Sequence, residues 1–180
     1  IIFLAGPRLI KQYITKKVKV EIQRQRRKKA ENVLVIGGAG YVGSYLSEEL
    51  LRQGYKVRIL DSLLFGENPI SNIKNNENLD LVVGDFRNVE TLSTCMKDID
   101  AVVHLAGIVG DPACSIDDDF TIDVNLSATS MVAEVCKTFG VERFVFASTC
   151  SVYGQSTSDK PLSEDSALNP VSLYAKTKIA

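Results

Sequence analysis

"VLVIGGAGYVGSYL", residues 33–46, decides the fold. Apolar residues run unbroken from Val33 to Ile36, give way to Gly37 and Gly38, and resume after Gly40 with apolar positions three and four apart. A short apolar run bounded by glycine predicts a buried strand, and the resumed spacing predicts a helix. Strand, glycine turn and helix in that order place backbone without Cβ atoms at the amino end of a helix. Free N–H groups and the helix dipole favour a bound anion there.

The alternation continues downstream. "YVGSYLSEELLRQG" predicts a helix closing at Gly54, "YKVRILD" a second strand, "LDLVVGD" a third, "VETLSTCMKD" a helix and "IDAVVHLAG" a fourth strand. A polar loop around "GDPACSIDDD" follows, then a helix from about Asp123 to Phe139 and a fifth strand, "VERFVFAST". Strands apolar on both faces and separated by helices predict an α/β domain: a doubly wound, Rossmann-type parallel sheet covered on both sides. "SNIKNNENLD" is expected to be a surface loop, and "EDSALNPVSLYAKTKIA" a helix entered near Pro170 and cut by the end of the chain.

Composition narrows the class. A chain of 180 residues with 45% apolar and 24% charged residues suits one globular core, and no run reaches the apolar length of a membrane span. Because the chain starts at Ile1, the natural N-terminus is expected upstream. Cys95, Cys114, Cys136 and Cys150 are dispersed without a C-x-x-C pair, and His104 is the single histidine. Reduced thiols, no metal site and a cytoplasmic location are the expectation. Residues 1–30 carry ten of the 21 Lys and Arg against one acid, Glu21, whereas the remainder carries eleven bases against 21 acids. The chain therefore divides into a basic leader, residues 1–31, and a domain over residues 32–180. The leader reads first as a solvated linker, since "QRQRRKKA" lacks aromatic interleaving; a membrane-flanking segment ranks second and a nucleic-acid arm is not expected.

Gly37, Gly40 and Gly43 form G-x-x-G-x-x-G, with Gly38 also supplying the second position of the dinucleotide fingerprint G-x-G-x-x-G. Asp61 ends the second predicted strand, eighteen residues beyond Gly43. A carboxylate there accepts both ribose hydroxyls of an adenosine and repels a 2′-phosphate, which selects NAD over NADP. A strand-end Asp that simply begins a turn is the plainer alternative.

"GGAGYVG", Asp61, "GDFRN", "VVHLAG", "FVFASTCSVYG" and "NPVSLYAKTK", in that order and spacing, resemble the extended short-chain dehydrogenase/reductase family, specifically its NAD-dependent nucleotide-sugar epimerase/dehydratase group. The resemblance covers roughly residues 32–180. It implies that Gly37, Gly40, Tyr41, Val42 and Gly43 hold the pyrophosphate of NAD and Asp61 the ribose. By the same match, Asp85 and Phe86 flank the adenine, and Leu105, Ala106 and Gly107 line the cofactor. Asn125 matches a structural helix Asn near the active site.

The catalytic match is Thr149, Tyr174 and Lys178. Tyr174 and Lys178 are four apart and share a helix face. A free phenol titrates near about 10, but a neighbouring ammonium and the positive nicotinamide favour the phenolate. Tyr174 is thus expected to act as the base on a sugar hydroxyl, with Thr149 hydrogen-bonding the same oxygen and Lys178 also binding the nicotinamide ribose. The resemblance implies a 4-epimerase like those acting on UDP-glucose, working through a 4-keto intermediate. Family dehydratases carry Asp-Glu after the catalytic Thr, where this chain has Cys150 and Ser151, so a 4,6-dehydratase is disfavoured. A reductase or dehydrogenase of the same family is the nearest rival, and a non-catalytic NAD-binding sensor or scaffold is the alternative of another class.

The remaining candidates are weaker. His104 is expected to pack or hydrogen-bond, Val109, Gly110 and Asp111 to line the sugar pocket, and Asp117, Asp118 and Asp119 to form a solvated loop or helix start. The family continues past the Tyr-Lys helix into a smaller C-terminal substrate domain, so this chain is expected to be truncated before it and inactive alone. A homodimer is expected of the complete protein.

Overall fold

The computed structural model describes residues 30–155 and 161–180. The leader, apart from Ala30 and Glu31, lies outside the described residues. The apolar run of the opening motif forms β1 (Asn32–Ile36), in which Val33 to Ile36 are buried. It is joined by β2 (Lys56–Asp61), β3 (Leu79–Val83), β4 (Ala101–His104) and β5 (Arg143–Phe146). All pairings are parallel, and the order across the sheet is β3-β2-β1-β4-β5. The chain builds outward from β1 to β3, then returns to the other side of β1 for β4 and β5. That reversal opens a crevice at the carboxyl ends of β1 and β4, where ligands of such sheets bind.

Helices cover both faces. On one side α1 (Tyr41–Arg52) packs on β1 and β2, helped by Ile70 and Ile73, which are buried. The expected Asn-rich surface loop is therefore anchored by Ile73 and is preceded by a short 3₁₀ turn, Asn68–Ile70. On the other side α2 (Val89–Cys95) and the helix following β4 enclose Leu34, Ile36, Leu60, Leu92, Met96, Val102 and Val132. Each large aliphatic side chain buried here contributes on the order of 2 kcal/mol. Asn88 caps α2 by accepting from the N–H groups of Glu90 and Thr91, both at 3.0 Å.

The segment after β4 departs from expectation. The polar loop contains a one-turn helix, α3 (Asp111–Cys114), and the long helix begins at Asp118 rather than Asp123. It runs as α4 (Asp118–Ile122), a π turn (Asp123–Ser127) and α5 (Ala128–Thr138). Asp117 caps α4, accepting from Phe120 N–H at 2.9 Å, so the acidic triplet is a helix start. The polar Asp residues hid that start from hydrophobic periodicity. A second departure concerns the outer strands: β3 and β5 hold no fully buried residue, and Val83, Phe144 and Val145 are exposed. Apolar composition predicted cover on both faces; only the three central strands receive it. The last helix, α6 (Leu173–Ile179), starts three residues after Pro170 and is capped by Ser172.

Candidate active site

The residues singled out from the sequence for the cofactor lie at or just after the carboxyl end of a strand, on α1, or, for Tyr174 and Lys178, on α6. Gly37 leaves β1 with φ +84°, and a Cβ there would lie 2.7 Å from the Ala106 nitrogen. The β4 loop comes this close because Leu105 and Ala106 both donate to the Ile36 carbonyl, at 2.9 and 3.0 Å. At Gly43 a Cβ would stand 2.1 Å from the Gly37 oxygen, so that glycine is needed for helix against turn. Gly38 packs equally tightly on the Ile59 side chain. Gly40 differs: its φ of −72° suits any residue, and a Cβ would meet only the Gly37 oxygen, at 3.3 Å. What Gly40 preserves is open space over the first turn of α1. That turn carries no side-chain cap and no acidic residue. An open cradle at an uncapped helix amino end fits a pyrophosphate. The side chains of Tyr41 and Val42 are exposed, leaving their backbone as the part directed to this function.

Asp61 serves the turn as well as any ligand. Its Oδ2 accepts from Ala39 N–H at 2.9 Å and its Oδ1 from Leu63 N–H at 2.8 Å. The turn-initiating role is real, and each oxygen retains a lone pair for a hydroxyl. Asp85 is held by Arg87, whose side chain donates to both carboxylate oxygens; this holds the Asp85 carboxyl below the usual range. Arg87 also pairs with Asp123 at 2.9 Å and lies over Phe120, tying the segment after β3 to the α4 region. Phe86 turns its edge to His104, ring centroids 5.1 Å apart.

Past β4, Asn125 in the π turn grips the main chain of Ile108, accepting at 2.8 Å and donating at 2.9 Å. A Cβ on Gly107 would collide with the Asn125 oxygen. This clamp sets the loop of Val109, Gly110 and Asp111; Gly110, at φ +88°, caps α3. A helical bulge at such a position is common at functional sites.

Tyr174 and Lys178 share the inward face of α6. Tyr174 is buried, and the Lys178 ammonium lies 5.8 Å from its ring centroid. Lys178 Nζ donates to the Ala147 carbonyl at 3.1 Å, fastening α6 to the segment just after β5. Burial pulls the Lys178 ammonium below the ordinary lysine range, with the Cys114 thiol acting weakly in the opposite sense. Two residues on, Thr149 Oγ1 accepts from Ser151 N–H and donates to Ser151 Oγ, both at 3.2 Å. A 3₁₀ turn (Cys150–Tyr153) leads to Gly154, where a Cβ would overlap the Asn169 carbonyl; Asn169 N–H donates to Val152 O at 3.0 Å. This latch delivers the chain to the Ser172 cap of α6.

His104 is wholly buried, hydrogen-bonded through Nε2 to Thr129 Oγ1 at 2.9 Å, and its Nδ1 has no partner. Burial, aided by the charge of Lys178, lowers its pKa to about 4. Packing and hydrogen bonding, as expected, describe it. Sequence reading passed over Phe146 and Arg87. Arg87 had a local signal, an acid two residues away; Phe146 had none, because its partners are distant in sequence.

A sheet in this order with a glycine turn opening onto its switch point is a dinucleotide-binding domain. Residues 33–180 match the NAD-dependent epimerase/dehydratase family, and the chain belongs to that family. NAD is the dinucleotide of the family. The human sterol-4-alpha-carboxylate 3-dehydrogenase, decarboxylating, is 30% identical over 92% of this chain and 42% of its own. A UDP-glucose 4-epimerase of Cyamopsis tetragonoloba is 32% identical over 86% of this chain and 46% of its own. The crystal structure of UDP-glucuronic acid 4-epimerase from Bacillus cereus, in complex with UDP-glucuronic acid and NAD, superposes with a TM-score of 0.74 at 32% identity, covering 82% of this chain and 49% of that one. The chain thus spans less than half the length of these relatives.

Proposed function

We propose that the full-length protein is a nucleotide-sugar 4-epimerase, inverting a sugar carbon through a 4-keto intermediate. The observation that carries this is the Tyr174–Lys178 pair, anchored at the end of β5 by the bond from Lys178 to Ala147 O, two residues before Thr149 in the chain. When bound, NAD takes up the hydride and returns it. Gly37, Gly40, Tyr41, Val42 and Gly43 hold its pyrophosphate and Asp61 its ribose, with Asp85 and Phe86 beside the adenine and Leu105, Ala106 and Gly107 along its length. Tyr174 removes the proton of the sugar hydroxyl, Thr149 hydrogen-bonds the same oxygen, and Lys178 holds the nicotinamide ribose. Cys150 and Ser151 supply no carboxylate for elimination, which favours epimerisation over dehydration. Five UDP-sugar 4-epimerases among the similar solved structures, at 26–32% identity, support a UDP-sugar as substrate. A cytoplasmic homodimer is the form proposed for the complete protein; four free thiols fit a reducing compartment.

A dehydrogenase is the second reading, favoured by the similarity to the sterol enzyme across 92% of this chain. One experiment separates them. The full-length protein is purified without added cofactor, denatured, and the released nucleotide identified; it is then assayed with UDP-glucose. Stoichiometric NAD(H) and conversion of the sugar without net NADH support the epimerase. An empty protein that accumulates NADH in step with oxidised product would replace it with the dehydrogenase.

A further inference from the structure

Lys178 is a half-buried ammonium with few polar partners. Among the described residues no carboxylate pairs with it, and Nζ donates to the Ala147 carbonyl. A cation drawn partly out of water with so few acceptors is disfavoured unless something else faces it. What faces it is an aromatic ring: Nζ lies 4.6 Å from the Phe146 centroid, closer than to the ring of Tyr174 at 5.8 Å. Phe146 is in turn backed by His104, whose imidazole stacks on it at 5.9 Å with 27° between planes. The histidine is itself fixed, edge-on to Phe86 and bonded to Thr129 on α5. Phe144 stacks on it from the same strand at 6.4 Å.

We infer that Phe146, backed by the imidazole of His104, is a positioning residue: its π face seats the Lys178 ammonium and so sets the lysine against Tyr174 and the cofactor. The Lys178 role invoked here rests on the proposed function; the seat itself does not. A quadrupole attracts the ammonium without competing for its N–H donors, so the seat leaves donors free for a ribose hydroxyl and the phenol. A carboxylate in its place would claim those donors. The stack also requires an uncharged imidazole, since an imidazolium behind Phe146 would repel the lysine. The titratable groups facing Lys178 are Tyr174 on its own helix, His104 on β4 and Cys114 on α3.

The test uses the full-length protein and two measurements. In the first, lysines are labelled with ¹³C at Cε, the Lys178 signal is assigned from its loss in Lys178→Arg, and its ε protons are compared with the others. Seating over a ring places them upfield of the other lysines. A Lys178 signal within the ordinary range overturns the inference without any change to Phe146. In the second, NAD affinity is followed against pH in wild type, Phe146→Leu and Phe146→Tyr, with melting temperature measured alongside. Loss of the π face destabilises the charged lysine, so the alkaline limb in Phe146→Leu is expected to fall by roughly half to one and a half pH units, and Phe146→Tyr to stay with wild type. A packing role alone would lower the melting temperature and leave the limb in place, which contradicts the inference. Neither measurement needs a sugar. If no UDP-sugar is converted yet Lys178 is shifted upfield, the proposed function fails and the seat stands.

Discussion

Tyr174 is the proposed base, and it is the residue whose loss should be cleanest. Tyr174→Phe keeps the ring and the packing of α6 but removes the proton acceptor. Turnover is expected to drop by about 10²- to 10⁴-fold, with NAD affinity near wild type in a fluorescence titration; retained turnover would remove Tyr174 from the mechanism. Two glycines make a sharper pair. Gly43→Ala forces a Cβ to within 2.1 Å of the Gly37 oxygen, and a loss on the order of 3 kcal/mol is expected in urea unfolding. Gly40→Ala meets only one atom, at 3.3 Å, and should unfold like wild type while binding NAD at least tenfold more weakly, an estimate of about 1.4 kcal/mol for a filled cradle. Equal NAD affinity would show that the open space has another use. His104 gives a pH signature. Above about pH 6.5 the imidazole is neutral in both folded and unfolded chains, so its contribution is constant. Between there and its folded value of about 4, only the unfolded chain takes up the proton. Stability therefore falls as pH drops through this window, by about 3 kcal/mol in all. Urea midpoints for His104→Gln should decline less between pH 7 and pH 4 than those of wild type.

At the scale of elements, short caps and latches place the reactive groups. α6 is only seven residues long and begins on Ser172, whose Oγ accepts from Ala175 N–H at 3.2 Å. So short a helix cannot stand by itself in water. It is held by that cap, by the Gly154–Asn169 latch and by the bond from Lys178 to Ala147 O. Ser172→Ala is expected to cost about 1 kcal/mol of stability and to lower kcat more than KM, because the frayed turn is the one bearing Tyr174. Unchanged kcat would mean that tertiary contacts alone hold the turn. The π turn plays the complementary part beside α6, aiming Asn125 at Ile108 while Arg87 braces its first residue, Asp123.

For the molecule as a whole, the parallel sheet matters because it gathers five loops on one edge. Asp61, Asp85, Leu105–Gly107 and Ala147–Thr149 are separated in sequence and become neighbours only because β2, β3, β4 and β5 run the same way as β1. A ligand that bridges those loops stabilises them together. Saturating NAD, at a hundredfold excess over Kd, should therefore add about 2.7 kcal/mol to unfolding of the full-length protein, read as a rise in Tm. NADP at equal concentration should raise it less, because Asp61 meets the 2′-phosphate. Equal shifts would sink the ribose role of Asp61.

Local pattern was enough for much of this. Val33–Ile36 followed by Gly37, Gly40 and Gly43 told of a strand, a turn and a helix, since backbone periodicity and the cost of a Cβ act over a few residues. Asp61 could likewise be named from its place after the glycines, whereas Tyr174 and Lys178 are named through the family resemblance, since their spacing alone fits any helix. Other features had no local trace. The helix start at Asp118 was masked by polar residues that satisfy a helix amino end rather than a core, and the exposed faces of β3 and β5 depend on which helices reach them. The pairing of Phe146 with Lys178, and of Gly37 with Ala106, joins residues 32 and 69 positions apart. Only the folded sheet brings such residues within reach, because contacts across a parallel sheet are set by the order of its strands and not by neighbours along the chain.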